Sequence, residues 1–223
     1  MIFAFLFLIV TSASGGGCPP IERDALLEMY LRCNGPSWPE PKRTHWGTGD
    51  ACGWAGITCR EEGNVVGVTL DGLGMWCELP VSLGALTHLN VCDISSNLTG
   101  PFPSVARKWR SLKNLKLYEN QITGTLPDWI PELTSLIELA VVPDHNTYRA
   151  PRYKGLTGTI PDSYKTVNWM SLVFEANSLS GELPMWVTRL PHWHMYGNYF
   201  TGPCPWPKHL SHNVHISCGH TEL

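Results

Sequence analysis

A frame of thirteen residues recurs along the chain and constrains its fold more than any other feature. It runs apolar, any, apolar, two of any, Asn, any, apolar, any, Gly, two of any, Pro. Leu115, Leu117, Asn120, Ile122, Gly124 and Pro127 fill it without exception. So do Leu172, Phe174, Asn177, Leu179, Gly181 and Pro184, and again Trp193, Met195, Asn198, Phe200, Gly202 and Pro205. Looser copies begin at Val68, where Leu73 takes the asparagine place and Cys77 the glycine place, and at Cys92, where one residue is missing. Another copy has Leu139, Val141 and Asp144, then resumes at Leu156, Gly158 and Pro161 after the extra residues His145 to Lys154. Without that insertion the prolines recur every 21 to 24 residues.

Each offset has a physical role. Apolar residues two apart point to one side of a strand, which predicts a short strand with one buried face. Asparagine carries both donors and acceptors and satisfies turn backbone that is otherwise buried unpaired. Glycine permits positive φ or close approach, and proline fixes φ and removes a donor, so the chain turns back. One such unit buries about five apolar side chains, about 10 kcal/mol, against about 35 kcal/mol for ordering its residues. It therefore cannot stand alone. Stacked units share one core, which predicts a solenoid with a parallel sheet along one side.

This frame resembles the plant-type leucine-rich repeat, whose convex side carries a Leu-x-Gly-x-Ile-Pro segment, over residues 65–205. Upstream, Ile21 to Leu27 followed by Trp46 and the run from Cys52 to Cys59 resembles that family's amino-terminal cap. The resemblance implies an α/β repeat fold: a right-handed solenoid of about six repeats, a parallel β-sheet on the concave face and disulfide-stabilised caps. It implies a cap over residues 16–64 and a carboxy-terminal cap over 206–223. It also implies extracellular recognition of a protein or glycan, as by receptor ectodomains and polygalacturonase-inhibitor-like proteins, without a membrane span or kinase.

Within the cap, Pro19 and Pro20 open a helix whose expected buried face is Ile21, Ala25, Leu26, Met29 and Tyr30. The cap motif implies that Cys52 pairs with Cys59. Cys204 and Cys218 flank the last repeat and are expected to close its end. That leaves Cys18 with Cys33 and Cys77 with Cys92, one choice among many, because eight cysteines allow 105 connectivities.

The apolar run from Ile2 to Val10 followed by small residues reads as a signal peptide over residues 1–15, and the even cysteine count suits an oxidising compartment. No later run is long enough to span a membrane. The ending His220-Thr221-Glu222-Leu223 leaves open retention in the endoplasmic-reticulum lumen, with a role in assembly there, beside secretion. Asn97-Leu98-Thr99 is an N-glycosylation acceptor. Whether Asn97 or Ser96 takes the buried asparagine place in that shortened copy stays open.

Outward-facing strand residues define the expected binding surface: Thr69, Asp71, Asp93, Ser95, Lys116, Tyr118, Glu119, Glu138, Ala140, Val142, Val173, Glu175, His194 and Tyr196. The insertion adds Tyr148, Arg149, Arg152 and Tyr153, on a loop that interrupts a regular scaffold. A net charge of -3 gives no basic field for nucleic acid. Glu138 and Glu175 lie on nearby strands as a glycosidase pair would, but an open sheet does not desolvate either acid, so no enzyme is expected. His209, His212 and His215 lie among prolines rather than on a helix, so neither metal nor cofactor is expected.

Overall fold

The computed structural model describes residues 17–144 and 155–202, together with the backbone of 216–218. The expected signal peptide, the insertion residues Tyr148, Arg149, Arg152 and Tyr153, the three C-terminal-region histidines and Cys204 lie outside the described residues.

Helix α1, Pro20–Arg32, starts the described chain with proline at its first position, where the missing N–H costs nothing. Ala25, Leu26, Met29 and Tyr30 are buried, but Ile21 is 69% exposed and Glu22 takes its place inside. The reason is polar: Glu22 accepts hydrogen bonds from the Val65 backbone N–H at 2.7 Å and from Asn64 Nδ2 at 2.9 Å. A carboxylate therefore holds the helix to the first strand pair, where an apolar side chain would leave that N–H unpaired. Beneath the helix, Tyr30, Trp38, Trp46 and Trp54 form a chain of ring contacts with centroids 4.9 to 5.6 Å apart. Each indole N–H donates to a backbone carbonyl: Trp38 to Cys33, Trp46 to Ala55, Trp54 to Thr48.

Strand β1, Ile57–Cys59, pairs antiparallel with β2, Val65–Asp71. Gly56 makes this entry possible: its φ is +81°, and a Cβ there would lie 2.2 Å from the Thr69 carbonyl oxygen.

The remaining strands fall into two parallel sets. They are β3 (Val91–Ser95), β4 (Thr99–Pro101), β5 (Asn114–Thr125), β6 (Glu138–Pro143), β7 (Leu156–Gly158), β8 (Ser171–Val173), β9 (Ser178–Glu182), β10 (His192–His194), β11 (Tyr199–Gly202) and β12 (Ile216–Cys218). The order β2-β3-β5-β6-β8-β10 makes one parallel sheet. A second parallel set, β4, the far half of β5, β7, β9, β11 and β12, lies along the flank. Opposite the first sheet run short 3-10 turns such as Val81–Ala85, Ser104–Lys108 and Asp162–Thr166. Each follows a proline of the frame, at Pro80, Pro103 and Pro161.

One hydrophobic core runs unbroken from Ala25 to Phe200, and every frame leucine lies in it. The asparagine place is buried as expected, and its bonds reach back one turn. Asn120 Oδ1 accepts from the N–H of Leu98, and its Nδ2 donates to the Ile94 carbonyl. Asn177 does the same to Leu156 and Val141, and Asn198 to Leu179 and Phe174. In the shortened copy Ser96 takes this place, accepting from the Leu73 N–H and donating to the Leu70 carbonyl. Asn97 is then left partly exposed with φ of 60°.

The disulfides require a correction. Cys52 bonds Cys59, but Cys33 bonds Cys77, and Cys18 and Cys92 are free. Cys92 is a core residue: it stands at the first leucine place of β3, level with Val68, and is 1% exposed. Cys77, at a glycine place on the flank, meets the end of α1 instead.

Candidate functional site

Strand register sets the concave surface in rows. Thr69, Asp93, Lys116, Ala140, Val173 and His194 stand side by side across six strands. A second row holds Gly67, Val91, Asn114, Glu138, Ser171 and His192. Two residues further on, Asp71 pairs with Ser95, and strand alternation places Tyr118, Val142, Glu175 and Tyr196 on the same face. Glu119 departs from the alternation: it is exposed at a left-handed kink, φ 52°, within β5.

The surface holds a small apolar island. Ala140, Val142 and Val173 are buried against one another, with Tyr118 packed on them. Alternation gives their direction from sequence, but only register shows that three small side chains become neighbours. Val142 therefore belongs to this island rather than offering a free side chain.

Charge surrounds the island. Lys116 Nζ lies 3.1 Å from Glu138 Oε2, which also accepts from Asn114 Nδ2 at 2.6 Å. Burial acts to raise the Glu138 carboxyl, but these two bonds and the nearby cations outweigh it, so it sits below its ordinary value. Lys116 is raised, chiefly by its bond to Glu138. Asp93 is raised: desolvation drives it upward, Lys116 opposes, and the carboxylates of Asp71 and Glu138 add to the rise. Burial likewise raises the Tyr118 phenol. At the edges Lys42 Nζ reaches Asp71 at 2.5 Å, and His194 Nδ1 lies 3.8 Å from Glu175.

Glu138 does not have the character of a general acid. A glycosidase acid needs a raised carboxyl, and Glu138 is displaced the other way. Among the described residues, one group could converge on a metal ion, Cys18, Asp50 and Cys52. Cys52 is bonded to Cys59, however, which leaves only Cys18 and Asp50 of the three.

The Lys116–Glu138 pair has a testable pH signature. A depressed carboxyl lends stability that is complete above the ordinary glutamate value of about 4.3 and is lost as pH falls through the lowered native value. Lys116→Met should lower stability at neutral pH by about 1 kcal/mol or less, because both groups are partly solvated. Denaturation midpoints of parent and variant should converge in acid.

Two parallel sets of strands, buried asparagines and a helical cap make a leucine-rich repeat solenoid. Residues 111–133 match the Leucine Rich Repeat family model. The LRR receptor-like serine/threonine-protein kinase GSO2 of Arabidopsis thaliana is 31% identical over 144 residues, 61% of this chain and 11% of that protein. The chain thus spans about a tenth of that relative's length. Among solved structures, a plant ice-binding protein superposes with a TM-score of 0.71 at 24% identity, covering 90% of this chain and 64% of the other. The LRR ectodomain of the receptor kinase SOBIR1 from Arabidopsis thaliana gives 0.66 at 19%, covering 85% and 99%. The Arabidopsis receptor kinase HAESA ectodomain, solved with an N-terminally extended IDA peptide hormone ligand, gives 0.52 at 20%, covering 88% and 41%. These likenesses concern the fold. Among the described residues no helix is long and apolar enough to cross a membrane.

Proposed function

We propose that the chain is a secreted recognition module that holds an extended segment of an extracellular protein across its concave face. The observation that carries this is the apolar island of Ala140, Val142 and Val173 under Tyr118, whose ring feels the carboxylates of Asp93 and Glu175. The one lysine in its rows is already engaged by Glu138. Such a surface suits a peptide that sets a small apolar residue on the island and directs Lys or Arg to the carboxylates on either side. HAESA, of the same fold, was solved with a peptide hormone ligand, which supports the reading without identifying a partner. Asn97, partly exposed beside the buried Ser96, is the glycan acceptor in this account.

The reading is tested by panning a display library of random peptides on the immobilised protein. Enriched sequences should carry a basic residue near a small apolar one. Asp93→Lys with Glu175→Lys should weaken an enriched peptide at least tenfold, and Tyr118→Ala somewhat less. Binding unchanged in both the paired variant and Tyr118→Ala would remove the concave face from consideration.

A further inference from the structure

The flank set of strands presents a second surface that the concave-face reading does not use. Its outward position between the buried apolar residue and the glycine is filled, turn after turn, by Thr99, Thr123, Thr157, Ser180 and Thr201. Three of these hydroxyls donate to the glycine carbonyl of the turn before: Thr123 to Gly100, Thr157 to Gly124, Ser180 to Gly158. With the proton committed inward, the oxygen lone pairs remain for an outside donor. Adjacent parallel strands lie about 4.8 Å apart, and the register steps along by two residues, Thr99 lying level with Gln121 and Thr157 with Thr125, so the hydroxyls form an oblique row across the flank.

In the first turn that same position holds Trp76, between buried Met75 and Cys77. Trp76 is 64% exposed, although its backbone lies in the left-handed region at φ 46°, which a bulky side chain rarely adopts. The next residue is anchored through the Cys33–Cys77 bond, and the Cys77 carbonyl accepts from the Thr99 N–H at 2.9 Å. The backbone beside Trp76 is thus anchored, and its indole stands exposed where the hydroxyl row begins.

Two shallow grooves meet there. One is lined by Arg32, Trp76, Glu78 and Val81, the other by Glu78, Thr99, Phe102, Ser104 and Ile122, and they share Glu78, Leu79 and Val81. Arg32 is paired with Glu28 at 3.1 Å. From Thr99 to Ser180 the outward row carries no formal charge.

We propose that this flank binds a neutral polysaccharide, with one pyranose ring stacked on Trp76 and the following sugars hydrogen-bonded along Glu78, Thr99 and Thr123. The C–H face of a neutral sugar ring matches the flat indole, and its hydroxyls match a row of acceptors. A polyuronate or a phosphate chain would instead meet the Glu78 carboxylate that both grooves share. The inference stands independently of the concave-face reading.

The test is isothermal titration calorimetry of the whole secreted chain with cellohexaose, laminarihexaose and chitohexaose. At least one hexasaccharide should bind. Trp76→Ala should weaken it at least tenfold, Trp76→Phe less, and Thr99→Val with Thr123→Val severalfold. The paired variant Asp93→Lys, Glu175→Lys should bind sugar as the parent does, which separates the two surfaces. Circular dichroism melts of each variant establish folding, and the Thr99/Thr123 pair serves as the reporter if Trp76→Ala fails to fold. No binding of any hexasaccharide, or binding untouched by these substitutions, overturns the proposal. A Trp76→Ala chain that loses a protein partner while no sugar binds overturns it in favour of protein docking.

Discussion

Replacing Cys33 and Cys77 together by alanine is expected to lower the unfolding free energy by about 4 kcal/mol. The bond closes a loop with a sequence separation of 44 residues, and the chain-entropy relation for a loop of that length gives about this value. It ties the end of α1 to the first repeat, so its loss frees the aromatic cap to separate from the solenoid. The Cys52–Cys59 bond, with a separation of 7, should contribute less, about 2.5 kcal/mol by the same relation. Urea midpoints of the two double variants, measured against the parent, check the order. An equal or larger effect from the short loop would show that cap docking does not depend on the long one. Cys92→Ala leaves both bonds intact and tests only packing.

Asn120→Ala should cost about 3 to 5 kcal/mol. Its Oδ1 accepts from the backbone of Ser96 at 3.2 Å and Leu98 at 2.8 Å, and its Nδ2 donates to Ile94 at 2.6 Å. Alanine leaves three backbone groups buried without these partners, at about 1 to 3 kcal/mol each before relaxation. Asn120 is 1% exposed, so water does not replace them without opening the turn. Hydrogen exchange should reveal the damage as early exchange at Leu98 and Ser96, while amides of β9 stay protected. A loss below about 1 kcal/mol would mean that the asparagine place guides the chain path without bearing stability.

The path of the main chain was legible because periodicity reports it directly. Two apolar residues, an asparagine, a glycine and a proline at fixed offsets describe a strand, a satisfied turn and a return, and Leu115 to Pro127 shows all three. The outward direction of Asp93, Lys116, Tyr118 and Glu175 follows from the same alternation. What the sequence did not convey depends on which atoms meet. Glu22 and Ile21 exchange expected roles because an N–H at Val65 requires an acceptor, a need invisible in helical periodicity. Cys77 looks like a partner for nearby Cys92, but one lies on the flank and the other inside the core. The island of Ala140, Val142 and Val173 joins residues from two strands, and composition gives no register. Trp76 reads as one more loose filler of the frame until the hydroxyl row beside it is seen.

The backward reach of the buried polar ladder gives the molecule a direction. Ser96, Asn120, Asn177 and Asn198 each complete the coil that precedes them in the chain. A ribosome delivers the amino terminus first, so every coil waits, unfinished, for its successor to emerge before it can close. Folding during synthesis must therefore trail the exit tunnel by about one full coil. Shortening from the carboxyl side exposes an open coil at every cut, whereas shortening from the amino side leaves the remaining coils with their closures intact.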